Sequence, residues 1–189
     1  MILIVIIGDE RLYGESEGDA ERLISRAMES LEFGDNAWLS IDDRRREAGS
    51  YASNSLKVSI NRSTGYGGVI WQVSTSYPKQ GGIYAHTWVS DNPEPPTTDP
   101  KVLSDVHHPV FMEAASALPV AEIRKVLEEF YRAGIGDRPT CINWVRGHMN
   151  GEREERGPGV EPAPESSTDV EAVLGDIMKF AASNDSVPD

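Results

Sequence analysis

The chain has 189 residues, enough to bury a full hydrophobic core as one domain, or one domain with an appendage. Eighteen basic residues face 31 acidic ones, for a net charge of −13, and a field of that sign argues against binding nucleic acid or anionic membranes because phosphates repel it. A single cysteine, Cys141, rules out a disulfide framework and a cysteine-based zinc site, and suits a reducing, cytoplasmic setting.

Residues 2–7 are β-branched and apolar, with no basic leader before them and acid straight after. That pattern predicts a buried strand rather than a signal peptide. No stretch approaches the ~20 apolar residues of a membrane span. Asp19 can cap a helix whose apolar face is Leu23, Ile24, Ala27, Met28 and Leu31, at the 3.6-residue period. Ala37 to Ile41 reads as a short strand, followed by a charged turn from Asp42 to Glu47. Leu56, Val58 and Ile60 alternate with Lys57 and Ser59, the pattern of a half-buried strand.

The glycines of Asn61 to Gly68 mark a hairpin loop. Val69 to Thr75 and Ile83 to Val89 read as two further strands, with a turn from Tyr77 to Gly82. Strand alternation puts Val69, Trp71 and Val73 on one side, Ile70 and Gln72 on the other. Sequential strands with short connections predict an antiparallel meander. Asp91 to Pro100, with four prolines, is an exposed, extended loop.

A second helix starts at Pro119 and carries Val120, Ile123, Val126, Leu127, Phe130 and Tyr131 on one face. Gly134 and Gly136 stop it, and Pro139 holds Arg138 extended and launches a last strand ending at Trp144. After Gly147 the composition changes: residues 148–168 are charged and rich in proline and glycine, and read as a disordered linker. A capping box, Thr168 with Glu171, then opens an amphipathic helix over residues 169–183. The expected fold class is α+β: residues 1–147 form an antiparallel meander of five or six strands with two packed helices, and the linker and C-terminal helix are appended.

Several patterns invite a chemical reading and do not sustain it. Ser76-Tyr77-Pro78-Lys79 with Ser90-Asp91-Asn92 mimics a penicillin-binding set, but Pro78 sits in a turn and no K-T-G follows. The glycine loop lacks the lysine of a phosphate cradle. Adjacent His107 and His108 lack the helical spacing of a chelating pair, and His86 and His148 add no third ligand. Arg44-Arg45-Arg46 is flanked by acids and reads as a solvated loop. Cys141, in a predicted strand with apolar neighbours, reads as an inert buried thiol. Trp38, Trp71, Trp88 and Trp144, with Tyr77 and Tyr84, fall on or beside predicted strands, either as core or as a binding face. No catalytic residue, cofactor or metal site is expected.

The segment Leu118-Pro119-Val120, then Leu127-Glu128-Glu129-Phe130, then Gly136-Asp137-Arg138-Pro139-Thr140-Cys141-Ile142-Asn143-Trp144 resembles the end of immunity protein family one of bacterial polymorphic toxin systems. The matching positions are Glu129, Phe130, Arg138, Pro139, Thr140 and Trp144, with mainly structural roles. The turn from Gly134 to Asp137 is longer than the family's usual one, and the chain after Gly147 falls outside the pattern. The resemblance implies a non-enzymatic inhibitor that binds a cognate toxin, often of the deaminase superfamily, and occludes its active site. Loop acids Asp42, Asp43, Asp91 and Glu94 would then contact the toxin, with Tyr84 and Trp88 as anchors. Alternatives are a small hydrolase-like enzyme without a recognisable motif, or a regulatory adaptor acting through the tail helix.

Overall fold

In the computed structural model the described residues are 1–154, apart from 48 and 106–108, and they belong to one compact unit, Met1–Glu155. His107, His108, the remainder of the proposed linker and the proposed C-terminal helix lie outside the described residues. The architecture is α+β. Strands β1 (Ile2–Ile7), β2 (Glu10–Gly14), β3 (Asn36–Asp42), β4 (Asn54–Asn61), β5 (Tyr66–Val73), β6 (Thr87–Asp91) and β10 (Asn143–Gly147) form an antiparallel sheet in the order β10-β6-β5-β4-β3-β1-β2. A two-residue strand β9 (Leu118–Pro119) pairs with β5, and β7 (Leu103–Asp105) and β8 (Val110–Phe111) make a separate hairpin. The expected meander runs from β3 to β6; β2, a short strand at the sheet edge, was not legible because its charged residues hide its period.

Helix α1 (Glu17–Ser30) starts from Ser16, not from Asp19. The Ser16 hydroxyl accepts the Asp19 amide at 3.2 Å, and the Asp19 carboxylate accepts the Ser16 amide at 3.2 Å. Asp19 is therefore the N3 residue of a capping box, in which each side chain accepts the other residue's orphan backbone N–H. Helix α2 (Val120–Ala133) begins one residue later than expected, with Pro119 as its N-cap, and ends at Gly134, which adopts the left-handed conformation at φ 72°. The two helices bury Ile24, Ala27, Ile123, Val126, Leu127 and Phe130 against one sheet face, which contributes Leu3, Leu39, Leu56, Val58 and Trp71.

The opposite face is also covered where β5 and β6 meet. There Ile70 and Val89 pack against Val102, Met112 and Ala117. This two-sided burial gives Gly67 and Gly68 a purpose that the turn reading missed. Only Gly65 lies in the turn with positive φ; Gly67 and Gly68 are within β5. A Cβ on Gly67 would meet Ser59 O at 2.4 Å and Ile123 Cδ1 at 2.6 Å, and one on Gly68 would meet Met112 Sδ at 2.2 Å. They let layers close on both sides of one strand.

Two other boundaries moved. Gly82–Ala85 is a single 3-10 turn, and β6 starts only at Thr87. Gly81 and Gly82, both at positive φ, bend the chain, and the Trp88 indole donates to Ile83 O at 2.7 Å across the bend. The last strand starts at Asn143, because Thr140 and Cys141 are held by Glu129 instead of a neighbouring strand. Cys141 is therefore exposed, not buried. Past Gly147, where the linker was expected to begin, residues 148–154 turn back: Gly147 bridges Arg153, and Arg153 pairs with Asp91 at 2.7 Å and donates to Ala115 O at 3.1 Å.

Candidate functional site

The connection from α2 to β10, residues 134–142, carries three of the six motif positions, and the other three flank it on α2 and β10. Gly136 sits at φ 75° against the side chain of Asn54, where a Cβ would come within 2.2 Å. Its carbonyl accepts the indole N–H of fully buried Trp71 at 3.0 Å. Asn54 in turn bridges both backbone groups of Ile41 at 2.8 Å, so the connection is tied to the sheet through buried amides.

Glu129 fastens the other end. Its carboxylate accepts from Thr140 N at 2.7 Å, Thr140 Oγ1 at 2.8 Å and Cys141 N at 2.9 Å. Partial burial pushes its carboxyl up, but hydrogen bonds from Cys141 and Thr140 outweigh that and hold it below the usual glutamate value. Burial and then the neighbouring Glu129 raise the Cys141 thiol to about 12. Phe130, next on the helix, is fully buried in the core.

Between these fastenings, Asp137 gathers polar groups. One oxygen accepts Tyr77 Oη at 2.8 Å and Tyr84 Oη at 3.1 Å; the other pairs with Lys79. Burial would raise the Asp137 carboxyl, but Lys79 and the two tyrosines hold it below its ordinary value. Burial and Asp137 push the Tyr77 phenol up. The tyrosine rings stack at 5.6 Å, and Tyr84 meets Trp71 edge-on at 5.9 Å.

Arg138 follows. Its guanidinium carbon stands 4.1 Å from the centre of the Trp88 ring and 6.0 Å from that of Trp144. The Trp144 indole donates to Pro139 O at 2.7 Å, so Pro139 and Trp144 fix the frame that holds the arginine. Trp144 is half-buried at the margin of the main core, not enclosed in it. Arg138 Nη1 is closed off from solvent and has no hydrogen-bond partner, and burial lowers the pKa of the group.

The candidate contact residues fall in three places along this one connection. Asp42 and Asp43 border a groove of about 530 Å³ whose far wall includes Tyr77, Lys79 and Ile135. Asp91 and Glu94 border another, of about 390 Å³, with Glu122, Thr140 and Asn143. Tyr84 and Trp88 lie with Arg138 between the two stretches of chain that line the grooves. Asp42 and Asp91 are already ion-paired, with Arg46 at 2.5 Å and with Arg153; burial raises the Asp42 carboxyl, but hydrogen bonds led by Arg46 leave it lowered. Asp43 and Glu94 are exposed.

The sequence named Tyr77 only as a core or binding-face aromatic, and gave no sign of the parts played by Asp137, Lys79 and Arg153. Asp137 and Lys79 are 58 residues apart, and no local pattern announces such a pair. The penicillin-binding mimic dissolves: the Ser76 hydroxyl bonds Ser74 at 2.8 Å, while Lys79 turns to Asp137. Among the described residues, no group of three or more His, Cys, Asp or Glu side chains could hold a metal, and no helix is long and apolar enough to cross a membrane.

A family model described as immunity protein Imm1 matches residues 8–146. No curated protein and no solved structure matches the chain.

Proposed function

The chain belongs to the Imm1 immunity protein family, and from that membership, which implies a toxin-neutralising protein, we propose how it acts. It binds one cognate toxin tightly, without catalysis or cofactor, and occludes the toxin's active site. The toxin is of the deaminase class, acting on nucleic acid, and the complex forms in the cytoplasm. A toxin that handles a polyanion carries a cationic cleft, which an acidic protein can fill. The net charge of −13 speeds encounter, and exposed Asp43 and Glu94 are the loop acids free to contribute at the contact, since Asp42 and Asp91 are neutralised internally. Tyr84 and Trp88 supply rigid aromatic area beside them.

The observation that carries this reading is the family match over residues 8–146, which spans both helices and the sheet strands except β1 and the last residue of β10. A hydrolytic enzyme commonly holds a carboxyl of raised pKa in a deep pocket, whereas Asp19, Asp42, Glu129 and Asp137 are each lowered. The test is to co-express the toxin encoded beside this gene with and without the protein, and to follow association at several salt concentrations. Rescue of growth, a 1:1 complex of nanomolar affinity (~−12 kcal/mol) and an on-rate that drops with salt are expected. Unrelieved toxicity with no complex rejects the inhibitor reading. A deaminase assay on the free toxin decides its chemistry.

A further inference from the structure

We infer that Arg138, framed by Trp88 and Trp144, is a preformed receptor for a carboxylate side chain of the toxin. This rests on the toxin-binding reading and adds the chemistry of one contact. It also gives that contact a sign opposite to the acidic steering field.

Ten cations among the described residues are paired with acids. Arg138 is not, and what separates it from other unpaired arginines such as Arg11 and Arg62, which donate to backbone carbonyls, is a buried donor with no acceptor. Its Nη1 is shut off from water and makes no hydrogen bond. Such a donor is destabilising until it meets an acceptor. The group is nevertheless held in place, since Trp88 lies 4.1 Å beneath it and the Trp144 indole is pinned to Pro139 O. Stacking on an aromatic face fixes the plane of the guanidinium and leaves its edge as the site for an acceptor.

A second cation stands beside it. Arg146 is the cross-strand partner of Trp88, is exposed, and has no ion pair among the described residues. His86 meets the same Trp88 ring edge-on at 6.2 Å. Three basic side chains thus neighbour one indole at the β6–β10 end of the sheet, at the margin of the main core. Asp137, the nearest acid along the chain, is taken up by Tyr77, Tyr84 and Lys79.

The chemistry that satisfies this arrangement is a planar anion of two oxygens. A carboxylate meeting the Nε/Nη2 edge of Arg138 takes two parallel hydrogen bonds and neutralises a partly buried charge that the protein itself leaves unpaired. Arg146 adds charge at the rim. An aspartate or glutamate presented by the toxin is the occupant with which a protein partner can provide this. A lysine at position 138 would keep the charge but lose both the fork and the stacking.

The test has two arms. In the first, the toxin co-purified with this protein is bound by wild type, Arg138→Gln, Arg138→Lys, Arg146→Gln and Arg44→Gln, each checked for an intact melting transition. Arg138→Gln should weaken binding at least thirtyfold, and Arg138→Lys should recover little of it. Arg146→Gln should weaken it a few-fold, and Arg44→Gln, which removes the same charge elsewhere, less than twofold. Neutralising one toxin acid should reproduce the Arg138→Gln loss and show no further loss when combined with it. Folded Arg138 variants that bind like wild type, or an Arg44→Gln loss equal to that of Arg138→Gln, overturn the inference. In the second arm the free protein is titrated with glutarate while the Arg Nε–H and Trp Nε1–H resonances are followed. Shifts at Arg138, Trp88 and Trp144, absent in Arg138→Gln, support the receptor, and unmoved signals overturn it. If wild type binds no toxin, the inhibitor reading fails, and the glutarate arm still decides the carboxylate site.

Discussion

Replacing Glu129 with alanine removes the group that fastens the far end of the connection from α2 to β10. Three donors lose their acceptor: Thr140 N, Thr140 Oγ1 and Cys141 N, at 2.7 to 2.9 Å. Hydrogen bonds to a charged group contribute roughly 1.5–3 kcal/mol each where water is excluded. Thr140 and Cys141 are exposed, so water replaces much of that, and the total expected loss is about 2–3 kcal/mol. Glutamine keeps one acceptor oxygen and should lose about 1–2 kcal/mol. The carboxyl sits below its ordinary value, because hydrogen bonds from Cys141 and Thr140 outweigh the burial that would raise it. Its contribution is therefore complete above the unfolded glutamate value, about 4.3, and fades as pH falls through the lower folded value. Urea unfolding of wild type and both variants at pH 7, 5, 4 and 3 reads this directly. The gap between wild type and Glu129→Ala should be constant from pH 7 to 5 and shrink below about pH 4. A variant within about 0.5 kcal/mol of wild type at pH 7 refutes the clasp. A gap that persists undiminished in acid means the side chain acts by packing, not by its charge.

Four shorter predictions test the same region. Trp144→Ala should destabilise by about 2–3 kcal/mol, below the 3–5 of an enclosed tryptophan, because the ring is half-buried; calorimetry decides. Gly136→Ala should lose about 3 kcal/mol or more, from the left-handed backbone together with the Asn54 contact, and a neutral result in urea would contradict the tight fit. With its thiol raised to about 12 by burial and by Glu129, Cys141 should react with iodoacetamide at pH 8 at least tenfold more slowly than in the urea-unfolded chain, despite being exposed, and Glu129→Gln should speed it. A chain ending at Gly147 should melt several degrees below one ending at Glu154, since only the latter keeps the Arg153–Asp91 pair and the Gly147–Arg153 bridge; equal melting would show that the return segment adds nothing.

The sequence by itself determined the elements with a strong period. Leu23 to Leu31 and Val120 to Tyr131 could only be amphipathic helices, and Leu56, Val58 and Ile60 could only face one core, because burying such stripes dominates over any local preference. It also carried the run from Glu129 to Trp144, and with it the resemblance to the immunity family. Tertiary structure decided what those residues do. Thr140 and Cys141 leave the strand pattern because a carboxylate eleven and twelve residues earlier captures their amides. Gly67 and Gly68 read as turn residues in isolation, and only the approach of Ile123 and Met112 from opposite sides shows that they are packing positions. Asp91, exposed by its loop composition, is neutralised by Arg153, 62 residues later. Arg138 stands on Trp88 through the bend that Gly81 and Gly82 place before β6, a juxtaposition of residues 50 apart. Periodicity reports what a residue faces within its own element. Which partner arrives from elsewhere depends on how the layers close, and no local pattern encodes that.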